Sequence, residues 1–231
     1  MNKTIYLDAG HGGTDAGAVN GYHYEKNDNL NMAKAVKNLL VKQGHTVIMT
    51  REDDIFVSLA DRTKKANAAG ADIFVSIHRN SFTNITANGT EIWVYTTAGA
   101  VDVGAATEVL ERLAAVGIQC NRGVKKGNYH VLRESNMTSM LIELGFISNT
   151  IDNQLLATYF DAYAEAMAQG ICAALGVEYS TGNNTNEAED FIYRVQVGAF
   201  GVKANAEAFL AKVREMGLEA FLVAQDTAKA E

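Results

Sequence analysis

The chain has 231 residues, of which 48% are hydrophobic and 20% are charged, and its formal net charge is −7. This length and composition allow one globular domain with a sizeable core and a small appendage. An acidic chain without a basic run is a poor candidate for nucleic-acid binding, because phosphate contacts need clustered Lys and Arg. No apolar stretch approaches the ~18 residues that a membrane helix needs, so we expect no membrane insertion.

Short apolar runs alternate along the chain with segments of helical periodicity. The first such helix, for example, has apolar residues at Leu30, Ala33, Val36 and Leu40, which is the spacing of one helical face. The predicted strands cover residues 4–7, 46–49, 72–77, 91–95 and 140–144. The predicted helices cover residues 30–41, 59–69, 101–116 and 151–175. Strands that alternate with helices predict an α/β domain, with a mainly parallel sheet flanked by helices on both faces.

The composition changes near residue 178. Residues 178–190 are rich in Ser, Thr, Gly, Asn and carboxylates and almost free of apolar side chains, which predicts a linker. Residues 191–231 then show a small β-α-β pattern, with strands at 191–197 and 218–223 and a helix at 204–216. A unit of about 40 residues is near the lower limit for an independent core, so we expect it to need a partner. The predicted organisation is therefore a domain at 1–177, a linker and a C-terminal unit.

Polar residues follow or interrupt three of the predicted strands. His11 follows the first strand, His78 follows the strand at 72–77, and Glu143 lies inside the strand at 140–144. Glu25 comes just before the first long helix. Ligands of parallel α/β sheets bind beyond the carboxyl ends of the strands, so we expect these four side chains to meet at one edge.

Each of these residues also has an ordinary structural explanation. His11 lies between glycines and suits a polar turn, and His78 suits a hydrogen-bonded core histidine. Glu25 at a helix start is favoured by the helix dipole. Glu143 is the hardest to explain, because it interrupts an apolar run and a buried carboxylate is costly unless it is paired or lies near a metal.

Taken together, the four residues suit a catalytic zinc site. Two imidazoles and one carboxylate are a common zinc shell that leaves one position open, and a second carboxylate beside it can act as general base. The HExxH motif is absent, so the fold itself must bring the ligands together. His23 and His130 are weaker candidates for metal binding, and His45 is expected to be structural because it precedes a strand at the opposite edge.

A set of short segments in a fixed order resembles the zinc-dependent N-acetylmuramoyl-L-alanine amidases, the type-3 amidase family. The similarity covers residues 3 to 175. The segments that carry it are LDAGHGG at 7–13, EKND at 25–28, TR at 50–51, LADR at 59–62, SIH at 76–78, NRGVK at 121–125 and LIELGFISN at 141–149.

The resemblance implies an enzyme that hydrolyses the amide between N-acetylmuramic acid and L-alanine in peptidoglycan. It implies one zinc ion bound by His11, Glu25 and His78, with Glu143 as the catalytic carboxylate. The family commonly has a small residue where this chain has Arg79, and Thr138 stands where a proline is common. Arg79 is a candidate contact for stem-peptide carboxylates, or else it packs over the site. Further candidate substrate contacts are Asn80, His130 and Arg133.

The segment YRVQVGAF at 193–200 resembles the start of a SPOR-type peptidoglycan-binding module. Such modules usually have two β-α-β halves, and only one is recognisable at 191–231. Our hypothesis is that two chains combine their halves in a homodimer; the alternative is a truncated or vestigial module.

The apolar run after Met1 is too short for a signal-peptide core. We therefore expect an amidase made in the cytoplasm that reaches the bacterial cell wall by phage lysis or another route, as an endolysin or an autolysin. Two other functions remain open. One is a zinc peptidase that acts on a different amide, and the other is a wall-binding module that no longer cuts.

Overall fold

The structure is a computed structural model that describes residues 2–180 and 203–215. The chain divides into two compact units, residues 1–181 and 182–231. The described strands are β1 (Thr4–Ala9), β2 (Val19–Asn20), β3 (His23–Tyr24), β4 (Thr46–Met49), β5 (Ile73–Asn80), β6 (Thr90–Tyr95), β7 (Asn121–Gly127) and β8 (Thr138–Phe146). The described helices are α1 (Glu25–Lys42), α2 (Leu59–Ala68), α3 (Ala100–Val116), α4 (His130–Arg133), α5 (Thr150–Thr158), α6 (Phe160–Ala174) and α7 (Lys203–Glu215).

Six strands form one sheet in the order β4-β1-β5-β8-β6-β7, and β2 pairs with β3 in a separate hairpin. The strands β4, β1, β5 and β8 run parallel, whereas β6 is antiparallel to β8 and β7 is parallel to β6. The prediction of a mainly parallel α/β sheet is confirmed. As a consequence, β1, β5 and β8 all end at the same edge of the sheet.

Both faces of the sheet are covered, as predicted. The larger core packs α1, α3 and α6 against one face, through side chains such as Val36, Val109 and Met167. The smaller core packs α2 and α4 against the other face, around Tyr6 and Phe74. Each fully buried aliphatic side chain, such as Val36 or Val109, contributes roughly 1.5–3 kcal/mol to the free energy of folding. The central strands are therefore apolar on both sides, except where they approach the edge that carries the polar residues.

Helix α1 begins five residues earlier than its apolar spacing predicts. Its buried face includes Leu30, Val36 and Leu40, and the helix ends before Gly44, which adopts a positive φ of 82°. Gly44 donates its N–H to the carbonyl of Val41, so it terminates the helix as a glycine in the left-handed region typically does. The early start places Glu25 in the first turn, where the positive end of the helix dipole favours a carboxylate.

The single helix predicted at 151–175 is wrong, because the structure divides it into α5 and α6 at Tyr159. The apolar spacing continues across this junction, and no proline or glycine marks the break. Asn149 caps α5 by accepting hydrogen bonds from the N–H groups of Ile151 and Asp152. The prediction also lacked β2, β3, β7 and α4, which are short or mostly polar.

The start of the predicted linker belongs to the first unit. Tyr179 packs against the larger core, and Ser180 exchanges two hydrogen bonds with the side chain of Gln43. Helix α7 matches the helix predicted at 204–216, whereas the strands predicted at 191–197 and 218–223 lie outside the described residues. Within the part of the chain that the structure describes, no helix combines the length and the apolar character needed to cross a membrane.

Candidate active site

The loop after β1 is held in a strained conformation by two buried arginines. His11 has a φ of 61°, a value that non-glycine residues rarely adopt. Arg62 donates hydrogen bonds to the carbonyls of Ala9 (2.8 Å) and His11 (2.9 Å), and Arg51 donates to those of Ala9 and Gly10 (both 3.0 Å). These bonds satisfy carbonyls that the turn leaves unpaired, and they fix the position of the His11 ring.

Beneath this loop, Asp8 forms a fully buried ion pair with Arg62 at 2.7 Å. The hydroxyl groups of Thr50 and Ser76 also donate to the Asp8 carboxylate, each at 2.7 Å. Burial alone would raise the pKa of Asp8, but Arg62 and the two hydroxyls outweigh it and hold the pKa below its ordinary value. The network ties the ends of β1, β4 and β5 to α2.

Glu25 lies between the two histidines. Its Oε1 atom is 3.2 Å from Nε2 of His11 and 2.9 Å from Nδ1 of His78. Its Oε2 atom accepts a hydrogen bond from the N–H of Ala18 at 2.8 Å. Burial disfavours the charged carboxylate, but the bonds to His11 and His78 outweigh that cost and lower the pKa of Glu25 far below its ordinary value. The side chain is therefore an ionised acceptor at neutral pH.

This trio fits a zinc ion by the geometry and chemistry of its donor atoms. One potential ligand atom from each of His11, Glu25 and His78 lies within 4.8 Å of the others. In a tetrahedral zinc site with bonds of about 2.0 Å, ligand atoms are about 3.3 Å apart. The observed separations of 2.9 and 3.2 Å are close to that spacing. The two imidazole rings meet edge to face at 4.9 Å, so neither blocks the other.

Asp15 orients the ring of His11, a role that no sequence pattern indicates. Its Oδ2 atom lies 2.9 Å from Nδ1 of His11, on the opposite side of the ring from Glu25. A carboxylate behind a metal-binding histidine is a common arrangement, because it sets the tautomer and the ring orientation. Burial of His11 opposes protonation, but Glu25 and Asp15 together raise its pKa to about 9.

Glu143 lies beside this trio, directly opposite His78 in the pairing of β5 with β8. Its Oε2 atom is buried and has no hydrogen-bond partner among the described residues. Burial raises the pKa of Glu143 to about 7, with His78 acting in the opposite direction. A buried carboxylate oxygen without a partner is costly, and such groups are concentrated at functional sites. The four residues predicted to meet at one edge are thus brought together.

The four predicted substrate contacts differ in their surroundings. Arg79 is buried, and its guanidinium donates hydrogen bonds to Asp28 and Asn153, both at 2.7 Å. Arg79 is therefore not accessible to a peptide carboxylate and instead links α1 to α5. We correct its assignment as a substrate contact. The physical reason is that its position on β5 points it between two helices rather than toward the open edge.

The other three predicted contacts are more accessible. Asn80 is partly exposed and donates to the carboxylate of Glu91 at 3.1 Å. His130 is partly buried, with an unpartnered Nε2 atom among the described residues, and Arg133 is exposed and bonded to Asn128 at 2.6 Å. His23 is exposed on the β2–β3 hairpin and is not a member of the metal-binding trio.

Glu91 is a further buried carboxylate near the site, and no sequence pattern identifies it. It lies directly opposite Glu143 in the pairing of β6 with β8 and is only 3% exposed. The only sequence signal was a carboxylate at the start of an apolar strand, which also suits an exposed strand end. Its partners Arg122 and Lys125 lie more than 30 residues away, so no local spacing announces them.

The chain matches the models of two known protein families. The family model described as N-acetylmuramoyl-L-alanine amidase matches residues 5–176. A second model, the SPOR domain, matches residues 163–230. The two matches overlap at 163–176, where the structure shows α6 packed in the larger core through residues such as Met167 and Ile171. The SPOR match thus begins earlier than the C-terminal unit predicted at 191–231.

Individual relatives point to the same family. The chain is 35% identical over 225 residues to the N-acetylmuramoyl-L-alanine amidase CwlM of Bacillus licheniformis, a match that covers 96% of this chain and 85% of the relative. It is also 35% identical to an endolysin of Bacillus phage SPP1, covering 91% of this chain and 80% of that one. The crystal structure of an N-acetylmuramoyl-L-alanine amidase from Clostridium difficile 630 aligns with a TM-score of 0.73 and 38% identity, over 78% of this chain and 99% of that one. The fold, the converging side chains and these matches place the chain in the N-acetylmuramoyl-L-alanine amidase family.

Proposed function

We propose that the chain is a zinc-dependent enzyme that hydrolyses the amide between N-acetylmuramic acid and L-alanine of peptidoglycan. The observation that carries the proposal is the unpartnered, buried Oε2 atom of Glu143 beside the trio of His11, Glu25 and His78. A second candidate function is not favoured by any contact of the site. The proposed setting is the bacterial cell wall, where the chain would act as an endolysin or an autolysin.

His11, Glu25 and His78 would hold the zinc ion. When bound there, zinc supplies Lewis acidity toward the scissile carbonyl and toward water. Glu25 is ionised at neutral pH because its pKa is lowered, and Asp15 keeps the His11 ring oriented with Nε2 toward Glu25. The protein therefore presents the donor atoms of this site with little rearrangement.

Glu143 would carry the proton. Its free Oε2 atom accepts a proton from the attacking water and then gives it to the departing nitrogen of L-alanine. The site suits both steps because burial holds the pKa of Glu143 at about 7, between those of an ordinary carboxylate and an amine. General acid–base groups work best when their pKa lies near the operating pH.

The test is digestion of purified peptidoglycan, with and without a chelator, followed by mass spectrometry of the fragments. We expect release of intact stem peptides that begin with a free L-alanine amino group, and loss of this release on chelation. A new amino terminus elsewhere in the stem would instead indicate a peptidase. Absence of any release by a folded, zinc-loaded protein would contradict the proposal and favour a wall-binding module.

We also propose that residues 191–231 bind glycan and pair between two chains, so that two half modules complete one sheet. The support is the SPOR match at 163–230 and the small size of the unit predicted from the sequence. Analytical ultracentrifugation at micromolar concentration tests this. We expect a dimer that becomes a monomer when residues 191–231 are deleted, and a monomer in both forms would contradict the pairing.

A further inference from the structure

The carboxylate of Glu91 is surrounded by four hydrogen-bond donors. Its Oε1 atom accepts from Nδ2 of Asn80 and from Nε1 of Trp93, both at 3.1 Å. Its Oε2 atom accepts from Nε of Arg122 at 2.6 Å and from Nζ of Lys125. Burial alone would raise the pKa of Glu91, but Lys125 and Arg122 outweigh it and hold the pKa below its ordinary value. The carboxylate is therefore a fixed anchor for two cations.

Glu91, Arg122 and Lys125 together carry a net charge of +1, because two cations share one carboxylate. The Glu91 side chain is only 4% exposed, whereas those of Arg122 and Lys125 are 33% and 32% exposed. Arg122 uses Nε for Glu91 and Nη1 for the carbonyl of Asn88, and its Nη2 has no hydrogen-bond partner within the described part of the chain. Lys125 likewise has more N–H donors than Glu91 can accept. Both cations therefore keep N–H donors that Glu91 does not use, on side chains that are about one third exposed.

Aromatic rings hold both cations in place. The guanidinium of Arg122 lies 5.0 Å from the centre of the Phe146 ring, and Nζ of Lys125 lies 5.4 Å from the centre of the Trp93 ring. Such contacts are attractive and restrict the rotamers of long side chains. Trp93 is in turn packed edge to face against Tyr129 at 5.3 Å. An anion that binds here would meet donors that are already ordered, which reduces the entropic cost of binding.

The cluster lies at a defined distance from the reacting groups. His78, Glu143 and Glu91 are paired in one row across β5, β8 and β6, and β7, which carries the cations, is the next strand. The charged groups of Arg122 and Lys125 are bound to the carboxylate of Glu91, which is one strand, about 4.8 Å, from Glu143. An extended peptide advances about 3.3–3.6 Å per residue. The cations are therefore within reach of the second residue after an amide bound at Glu143.

We infer that Arg122 and Lys125, held by Glu91, form a subsite that binds a carboxylate of the stem peptide at the second residue after the scissile amide. The inference rests on the proposed function, because it deepens the substrate specificity of the same site. It also assigns to β7 the carboxylate contact that the sequence suggested for Arg79, which is buried and donates from Nη1 and Nη2 to Asp28 and Asn153. The enzyme should therefore discriminate between stem peptides with a free carboxylate and those in which it is amidated.

The test compares two soluble muramoyl tripeptides that end in L-lysinamide and differ only in the second residue, D-isoglutamate or D-isoglutamine. For the wild type we expect kcat/KM to be about tenfold higher for the isoglutamate substrate, mainly through a lower KM. A tenfold difference is about the contribution of one charge-assisted hydrogen bond. In Arg122→Gln and in Lys125→Gln we expect this ratio to fall toward one. Each single variant leaves the other cation on Glu91, so the buried carboxylate stays paired.

Arg112→Gln is the matched control. Arg112 is 34% exposed and forms an ion pair with Glu108, like Arg122 with Glu91, but it lies on α3. We expect this variant to keep the wild-type ratio of kcat/KM for the two substrates. Equal kcat/KM values of the wild type for the two substrates would overturn the inference while leaving the amidase function intact. So would a ratio of kcat/KM that is unchanged in both β7 variants.

A binding measurement separates failure of the subsite from failure of the proposed function. If the protein cleaves neither substrate, the proposed function fails, and calorimetric titration with the free peptides L-alanyl-D-isoglutamyl-L-lysinamide and L-alanyl-D-isoglutaminyl-L-lysinamide still decides. Tighter binding of the isoglutamate peptide by the wild type, but not by Arg122→Gln, supports the subsite. Equal affinities of the wild type for the two peptides contradict it.

Discussion

His78 and Glu143 lie directly opposite each other on the neighbouring parallel strands β5 and β8. Paired residues on adjacent strands project from the same face of a sheet, so the Glu143 carboxylate stands beside the imidazole. No loop movement is needed to bring the proposed proton carrier next to the proposed zinc ligand. The sheet itself therefore sets the distance between the two residues. Mutations of each residue can test metal binding and proton transfer separately.

Replacing Glu143 with alanine should abolish turnover while leaving zinc in place. The residue is not a member of the trio that would hold the metal, so zinc content should stay near one ion per chain. General acid–base groups typically contribute about 10²–10⁴-fold to rate, so we expect a loss of that size in kcat. The measurements are release of stem peptides and metal analysis of the same sample.

The control for this variant is Glu165→Gln on α6, where the carboxylate is exposed and belongs neither to the metal-binding trio nor to the Glu91 cluster. It should keep both zinc and activity. Near-full activity of Glu143→Ala would exclude the assigned role in proton transfer.

Replacing Asp15 with alanine should weaken metal binding without removing a ligand. Asp15 holds Nδ1 of His11 at 2.9 Å, and loss of such a carboxylate typically lowers metal affinity by about 10–100-fold. Competition with a zinc-binding dye measures the effect. Asp161→Asn, an exposed carboxylate on α6, is the control and should bind zinc like the wild type. Unchanged affinity in Asp15→Ala would show that the contact does not support the site.

The convergence of His11, Glu25, His78 and Glu143 could be predicted because it follows from chain direction. Strands that alternate with helices run parallel, and residues at their carboxyl ends must then meet. Asp15, the Glu91 cluster and the burial of Arg79 could not be predicted in this way. They depend on contacts between residues that are distant in sequence, or on which way one side chain turns, and neither leaves a periodic pattern.

The break between α5 and α6 shows the same limit at the level of secondary structure. The helical spacing of apolar residues continues through Tyr159, since both helices bury a face in one core. Periodicity reports which residues are buried, and it does not report a break between two helices unless a breaking residue accompanies it.

Replacing Asp8 with asparagine should destabilise the fold strongly. The change leaves Arg62 buried without its charge partner, and breaking a buried pair from one side costs about 3–5 kcal/mol in free energy of unfolding. Urea denaturation at about pH 7 measures it. Glu52→Gln removes an exposed ion pair with Lys37 and should change the free energy of unfolding by less than about 1 kcal/mol.

The effect of Asp8 should also depend on pH in one direction. The pKa of Asp8 in the folded protein lies below its ordinary value of 3.8, so the unfolded chain takes up the proton first as the pH falls. The stability from this carboxylate is therefore complete above about pH 5 and is lost progressively below about pH 4. The difference between the wild type and Asp8→Asn should shrink over that acidic range. A constant difference would contradict a lowered pKa.

Two glycine-to-alanine changes should have opposite effects, because their surroundings differ. A methyl group on Gly10 would lie 2.3–2.7 Å from three atoms of the His78 ring, so the ring must move away from Glu25. We expect Gly10→Ala to bind zinc weakly and to lose most activity. Gly104 lies on an exposed turn of α3 with nothing within 4 Å of an added methyl group. There alanine should stabilise the helix by about 0.5–1 kcal/mol.

Thermal unfolding and zinc titration of the two variants separate packing at the site from a general effect of the substitution. Gly104→Ala should raise Tm by about 1–4 °C, the shift expected for this gain in a domain of this size, and should bind zinc like the wild type. Gly10→Ala should show its main defect in zinc affinity, because its methyl group meets a proposed ligand rather than the hydrophobic core. If Gly10→Ala bound zinc normally, the ring of His78 would have to move without cost, and the contact between Gly10 and His78 would not position the ligand.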